Sequence, residues 1–222
     1  MGMFRLFTLD TKGILLALAM GIAIFVLGGS YGPLFLGSLF LFLVLSAAVT
    51  HVGKIRKEGI GVYEAGRGWK NVLANGAMPM IAALLYWLNL TFHVLQPNFL
   101  ALAYLASVCA ITADKFASEI GVLDGEPIVL LTLKKTKKGV SGGVTGIGLL
   151  ASLAGAAIVG LGVFAVPASV QTAAVVVGCG FAGNLVDSAL GYYEERGIGN
   201  KFTSNFFCSV AGFLLCLVAL AL

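Results

Sequence analysis

The sequence predicts an all-α, polytopic transmembrane helix bundle of about seven spans, and three observations predict it. Hydrophobic residues make up 59% of the 222 and charged residues only 11%, against ~45–50% and ~25% in soluble domains. Mean hydropathy is +1.00. Uncharged runs long enough to cross ~30 Å of hydrocarbon recur along the whole chain. The 14 Lys or Arg and 10 Asp or Glu are too few to coat a water-soluble domain of this length, so much of the surface must face lipid. The 30 Gly are aperiodic, which excludes collagen and points to close helix packing.

The runs fall at about 13–30, 33–50, 72–90, 97–118, 145–165, 169–190 and 204–222, within a single integral membrane domain, 1–222. The first is the length of a signal-peptide core. Its end, Leu27, Gly28, Gly29 and Ser30, forms no A-x-A site and a second span follows at once, so it is expected as a retained helix. Cys109, Cys179, Cys208 and Cys216 all lie in apolar runs with no CxxC pair and no neighbouring His. They are expected as packing residues rather than metal ligands.

Orientation follows from Lys and Arg, which are retained in cytoplasmic loops. Arg5 and Lys12 precede the first span. Lys54, Arg56, Lys57, Arg67 and Lys70 lie in or at the second connection, Lys115, Lys134, Lys135, Lys137 and Lys138 at or after the fourth span, and Arg196 and Lys201 in the sixth connection. The connections 28–33, 91–97 and 164–169 carry no acidic, Lys or Arg residue. The N-terminus is therefore expected in the cytoplasm and the C-terminus outside. Nearly all the acids fall on the same side as the bases. A transporter needs polar groups along a path across the bilayer, whereas a one-sided concentration suits an enzyme or binding site open to the cytoplasm.

Asp114 lies near the membrane boundary of the fourth span, in ITADKFASEIG. On a helix it shares a face with Ser118, while Glu119 lies about 140° round. An acid at that depth is expensive without a partner, and an Asp–Lys boundary anchor is the plain alternative. Gly180, Asn184, Asp187 and Gly191 form one stripe of the sixth span, with Gly183 and Ser188 beside it, so Asn184 and Asp187 should face a closely packed neighbour. An interhelical Asn–Asp contact would explain them structurally. Two carboxylates at neighbouring helix ends, with phosphate oxygens, are also a usual way to hold Mg²⁺.

Between these spans, four lysines within five positions precede Gly-Val-Ser-Gly-Gly at the start of the fifth span. A helix N-terminus with glycines admits an anion to backbone N–H groups. Ser141, Gly142, Gly143 and Thr145 are the candidate phosphate cradle, with Lys134 or Lys138 as counter-charge; a polybasic lipid anchor is the alternative for the outer lysines. No Walker GxxxxGK[ST] and no GxGxxG occurs. Asn71 and Asn75, one turn apart, and Asn200 and Asn205 before and within the last span are candidates to orient a ligand or to cap their helices. His51 and His93 have no partner at catalytic spacing, and no Ser-His-Asp or Cys-His arrangement appears.

The motifs ANG (74–76), ADKFASEIG (113–121), KKGVSGGVT (137–145), NLVDSALG (184–191) and GIGNKFTSN (197–205), in this order, together resemble the phytyl-phosphate kinase family of the tocopherol pathway. That family has archaeal and bacterial members and includes the animal transmembrane protein 19. The resemblance covers roughly residues 50–222. The family pattern more often reads ADTWASEIG, so Lys115 and Phe116 depart from it.

The resemblance implies transfer of the terminal phosphoryl group of a nucleoside triphosphate, CTP foremost, to an isoprenoid monophosphate such as phytyl or geranylgeranyl phosphate. Asp114 and Asp187, with Glu119, would then hold Mg²⁺. Ser141, Gly142, Gly143 and Thr145 would bind phosphate, with Lys134 or Lys138 neutralising it, and Asn71, Asn75, Asn184, Ser188 and Asn200 would orient nucleotide or acceptor. The expected partners are the isoprenoid phosphate, the nucleotide and the lipid bilayer of the cell membrane or its equivalent, and no nucleic acid. The active site would face the cytoplasm. A cytidylyltransferase acting on a lipid phosphate needs the same ligands, and a lipid-phosphate transporter is a third reading, disfavoured by the uncharged outer connections. Ser152, Ala156 and Gly160 suit internal packing or a homodimer equally.

Overall fold

The computed structural model describes residues 9–64, 66 and 68–222; Arg5 and Arg67, two of the orienting basic residues, lie outside the described residues. The chain is helical almost throughout. Helices α1 (Thr11–Leu27), α2 (Gly32–His51), α4 (Trp69–Phe92), α5 (Pro97–Gly121), α6 (Gly146–Gly160), α7 (Val170–Glu194) and α8 (Lys201–Ala221) are long, and α3 (Lys54–Gly59) is a short helix in the second connection. Among the described residues six segments are long and apolar enough to cross a membrane, α6 counting with the 3-10 turn Leu161–Ala165 that continues it. The apolar α1 has 17 residues, ~26 Å of rise and at the lower limit for a span. About seven spans is consistent with this set.

Local chemistry sets the helix ends. Asp10 caps α1 by accepting from the Gly13 N–H at 2.6 Å. Ser169 caps α7, accepting from the Thr172 N–H. Pro33 and Pro97 stand in the first turns of α2 and α5, where a missing N–H is harmless. Asn89 closes α4 by holding Leu95 through both its amide groups at 2.8 Å. The long connection before α6 is pinned by two-residue strands, β1 (Ile128–Val129) and β2 (Gly143–Val144), paired antiparallel with Ile128 opposite Val144.

α5 is the central helix. Every residue from Leu100 to Asp114 is buried, the mark of a helix enclosed on all sides rather than amphipathic. It packs against α2, α4, α6, α7 and α8, while α1 lies outside, on α2 and α4. The approach of α7 to α5 and α8 depends on absent side chains. A Cβ at Gly180 would sit 2.4 Å from Cys109 Cβ, and one at Gly183 would sit 2.6 Å from the Cys208 carbonyl oxygen. All four cysteines are free; Cys109, Cys208 and Cys216 are buried in this packing.

The alternating direction of the long helices brings the three charged connections to one end. Lys57 of α3 reaches Glu119 at the end of α5, Ser141 reaches Glu194 and Glu195 at the end of α7, and Thr145 donates to the Gly121 carbonyl at 3.2 Å. At the opposite end the turns carry no ion pair among the described residues; Tyr31 there donates to Asn98 Oδ1 at 2.8 Å.

Gly183→Leu should destabilise the protein by about 1–3 kcal/mol or more through overpacking, read as a lower melting temperature in detergent. Gly178→Ala, where an added Cβ meets nothing within 4 Å, should be neutral or stabilising by up to about 1 kcal/mol; equal loss from both would break the link between contact and stability.

Candidate functional site

The polar end encloses a cavity of about 400 Å³ between α4, α5, α7, α8 and the two long charged connections. One wall is built by the tightly packed trio. α5 contributes Asp114, α7 contributes Asn184, Asp187 and Ser188, and α8 contributes Lys201 and Asn205. Asp114 and Asp187, from different helices, come side by side, and Lys201 lies within electrostatic range of both. Asp114, Asn184, Asp187 and Asn205 are all buried residues.

Three oxygens in this wall are buried without a hydrogen-bond partner among the described residues: Asp187 Oδ1, Asn184 Oδ1 and Asn205 Oδ1. Asn184 spends its amide nitrogen on Ser152 Oγ at 2.9 Å, which turns the carbonyl oxygen away from that bond. Each unsatisfied buried group costs about 1–3 kcal/mol. Three in one cavity beside a second carboxylate form an oxygen-rich donor set of the kind hard cations take. Among the described residues no group of three or more His, Cys, Asp or Glu suitable for a metal forms, so the protein's own ligands here would be two carboxylates and amide oxygens, with phosphate and water completing the shell. The residues fit Mg²⁺ on that basis.

Glu119 lines the same cavity, but its carboxylate is engaged by neighbouring side chains. Its Oε2 accepts from Lys57 Nζ at 2.6 Å, its Oε1 accepts from Thr50 at 3.0 Å, and Lys115 pairs with the same carboxylate. The 140° offset from Asp114 sends it toward α2 and α3. Lys57 is 1% exposed and also donates to the Val49 and Thr50 carbonyls, so this pair clamps the second connection onto α5. Of the two positions that depart from the ADTWASEIG pattern, Lys115 lines the cavity and pairs with Glu119, and the Phe116 ring lies against Gly155 of α6.

The glycine turn lines the cavity but its polar groups are largely engaged. Ser141 donates its N–H to Glu195 and its hydroxyl to Glu194, at 2.9 and 3.0 Å. The Gly143 N–H donates to the Val140 carbonyl at 3.2 Å. Gly142, at φ +77°, packs its backbone on α7, where a Cβ at Gly191 would meet the Gly142 nitrogen at 2.3 Å. Thr145 caps α6, accepting from the Gly148 N–H at 3.1 Å. The expected cradle is thus chiefly a latch joining the fourth connection to α7.

Lys138 lines the cavity; Lys134, expected as a counter-charge, does not. The turn in which Leu133 takes φ +55° and the Val129 N–H bonds the Lys134 carbonyl carries Lys134 to the exposed edge. Lys135 pairs with Glu126 on the surface, which holds the Glu126 carboxyl below its ordinary range. Asn200 is also displaced from the expected role: its Oδ1 accepts from the Phe202 and Thr203 N–H groups, a capping box that starts α8, and it lies outside the cavity lining. Asn71 and Asn75 do line the cavity, with Asn75 Nδ2 donating to the Asn71 carbonyl and side-chain oxygens at 2.8 and 2.9 Å.

Lys201, which hydropathy alone assigns to the sixth connection, is a residue of the site. The signal was there in the spacing, because Lys201, Asn205, Cys208 and Gly212 repeat at four, three and four along α8, and that stripe faces α5, with Cys208 Sγ against the Ala110 carbonyl at 3.4 Å.

Residues 2–207 match the family described as integral membrane protein DUF92, and the chain belongs to that family. An uncharacterized membrane protein of Methanocaldococcus jannaschii is 32% identical over 206 residues, covering 92% of this chain and 82% of that one. Protein PGR of Arabidopsis thaliana is 31% identical across 75% of this chain; the match covers 65% of that protein's length. No solved structure matches.

Breaking the buried ion pair should unsettle the roof of the cavity. Lys57→Met is expected to lower stability by about 3 kcal/mol, the low end for a buried pair because Lys115 still neutralises Glu119. Adding Glu119→Gln should recover part of the loss, measured as a double-mutant cycle in denaturant; independent, additive losses would dissolve the clamp.

Proposed function

We propose that this protein is a membrane-embedded phosphotransferase that moves the terminal phosphoryl group of a nucleoside triphosphate, CTP foremost, to an isoprenoid monophosphate at the cytoplasmic face. The observation that carries the reading is the placement of Asp114, Asp187 and Lys201 in one polar cavity, with unpartnered amide and carboxylate oxygens, at the membrane boundary. Opposite charges beside three uncommitted oxygen ligands in one cavity suit a metal-bound polyphosphate.

Asp114 and Asp187, with the amide oxygens of Asn184 and Asn205, would hold Mg²⁺, which when bound would neutralise phosphate charge. Lys201 and Lys138 bind phosphate from the two sides of the cavity, Lys201 from the α8 wall and Lys138 from the fourth connection. The bond between the terminal phosphorus and the nucleotide breaks as an oxygen of the acceptor phosphate bonds to that phosphorus. The acceptor is already ionised at neutral pH, so no strong general base is required, and the chain's work is positioning and charge stabilisation. The second and fourth connections, held by Lys57–Glu119 and Ser141–Glu194, cover the cavity and limit water. Asn71 and Asn75, at its α4 side, orient the acceptor headgroup.

Incubation of purified protein with CTP, Mg²⁺ and geranylgeranyl phosphate should release CDP and form the diphosphate. Release of pyrophosphate instead would make the protein a cytidylyltransferase, and nucleotide-independent lipid-phosphate flux in proteoliposomes would make it a carrier. Asp114→Asn and Asp187→Asn should each lower turnover by about a hundredfold or more with the melting temperature retained, and near-normal turnover in either would remove that residue from the site.

A further inference from the structure

A second cavity, of about 540 Å³, runs along the outside of the bundle between α1, α2 and the start of α4. Its size is ordinary for a ligand site, ~300–1,000 Å³, but its lining is almost wholly hydrocarbon; Ser46, Asn71 and Asn75 are its only polar side chains among the described residues. Those three stand at its polar end. From there the groove follows α1 from Ile14 to Phe25, ~16 Å of helix rise, about half of the ~30 Å hydrocarbon thickness. Leu18, Ile22 and Phe40 on its rim are 59%, 67% and 55% exposed, so it opens sideways to the bilayer.

The groove and the polar cavity meet. Phe42, Asn71 and Asn75 line both, so one molecule can lie in the two at once, with a charged head among Asp114, Asp187 and Lys201 and an apolar chain along α1. Neither space alone calls for an amphiphile; their junction at a pair of amides does.

We infer that the α1–α2–α4 groove binds the hydrocarbon chain of the lipid phosphate whose headgroup occupies the polar cavity, and that the chain enters laterally from the bilayer. This rests on the reading of the polar cavity as an isoprenoid-phosphate site. The groove reaches only half-way through the hydrocarbon, so it grips the units nearest the phosphate and leaves the end of a long chain in lipid. Chain recognition is accordingly steep for short chains and flat beyond the groove's end. Ala17 sits on the groove side of α1, with Met20 and Gly21 one turn further along, while Ala19 is exposed and outside the lining.

The test uses the full-length protein in lipid nanodiscs with geranylgeranyl phosphate carrying a photoreactive diazirine midway along its chain. Irradiation should attach the probe to α1 or α2 residues of the groove, Phe25 and Leu36 among them, and unlabelled geranylgeranyl phosphate should compete. Ala17→Trp should reduce labelling about tenfold, the scale of an overpacked contact, and Ala19→Trp should leave it unchanged. Adducts confined to α6, α7 or α8, or no competable labelling, overturn the inference, as does equal labelling of folded Ala17→Trp. Labelling requires no turnover. Groove adducts without CDP release would keep the chain site and remove the kinase reading; CDP release with adducts elsewhere would do the reverse.

Discussion

The close approach of α7 to α5 and α8 is the constraint on which the rest of the molecule depends. At Gly180 and Gly183 no side chain stands between the helices, and a Cβ would collide with Cys109 or with the Cys208 backbone. In lipid there is little hydrophobic drive to press helices together, so small residues that let backbones meet supply much of the packing. One consequence is energetic. The other is positional: Asp114 and Asp187 can share a cavity only because the helices carrying them approach so closely.

Two kinds of buried charge result, and they differ in how they are satisfied. Glu119 is surrounded by Lys57, Lys115 and Thr50, a set complete within the protein. Such a pair contributes specificity of arrangement more than net stability, and here it fixes the second connection over the cavity. Asp187 and its neighbours Asn184 and Asn205 are not satisfied in that way, each retaining a buried oxygen with no partner among the described residues. A closed network and an open one thus line the same cavity, only a turn of helix apart.

The polar cavity also differs from a soluble active site in what adjoins it. Asn71 and Asn75 stand where charged space gives way to an apolar groove. They bond to each other across one helical turn, which satisfies part of their polarity in a position where lipid and water both approach. The outer helix α1 contributes nothing to the acidic wall; its contribution is the far side of that groove.

Much of this was legible in the residues. Composition and run length determined a membrane helix bundle, because a backbone in hydrocarbon must satisfy its own hydrogen bonds and a span needs a set length. The Gly180–Asn184–Asp187–Gly191 stripe was visible through the helical period alone. What spacing along one chain cannot decide is which charge meets which across helices. Glu119 reaches the cavity already engaged by Lys57; Lys134 and Asn200, candidates by spacing, serve the loop edge and the helix cap; Lys201, in a connection by hydropathy, enters the cavity. The Ser-Gly-Gly turn has the local form of an anion cradle, and only the fold brings Glu194 and Glu195 to its donors. Local periodicity is fixed by the backbone, and so the sequence determined the helices and their polar faces. Partnership depends on distances between segments far apart in the chain, and that was decided by tertiary packing alone.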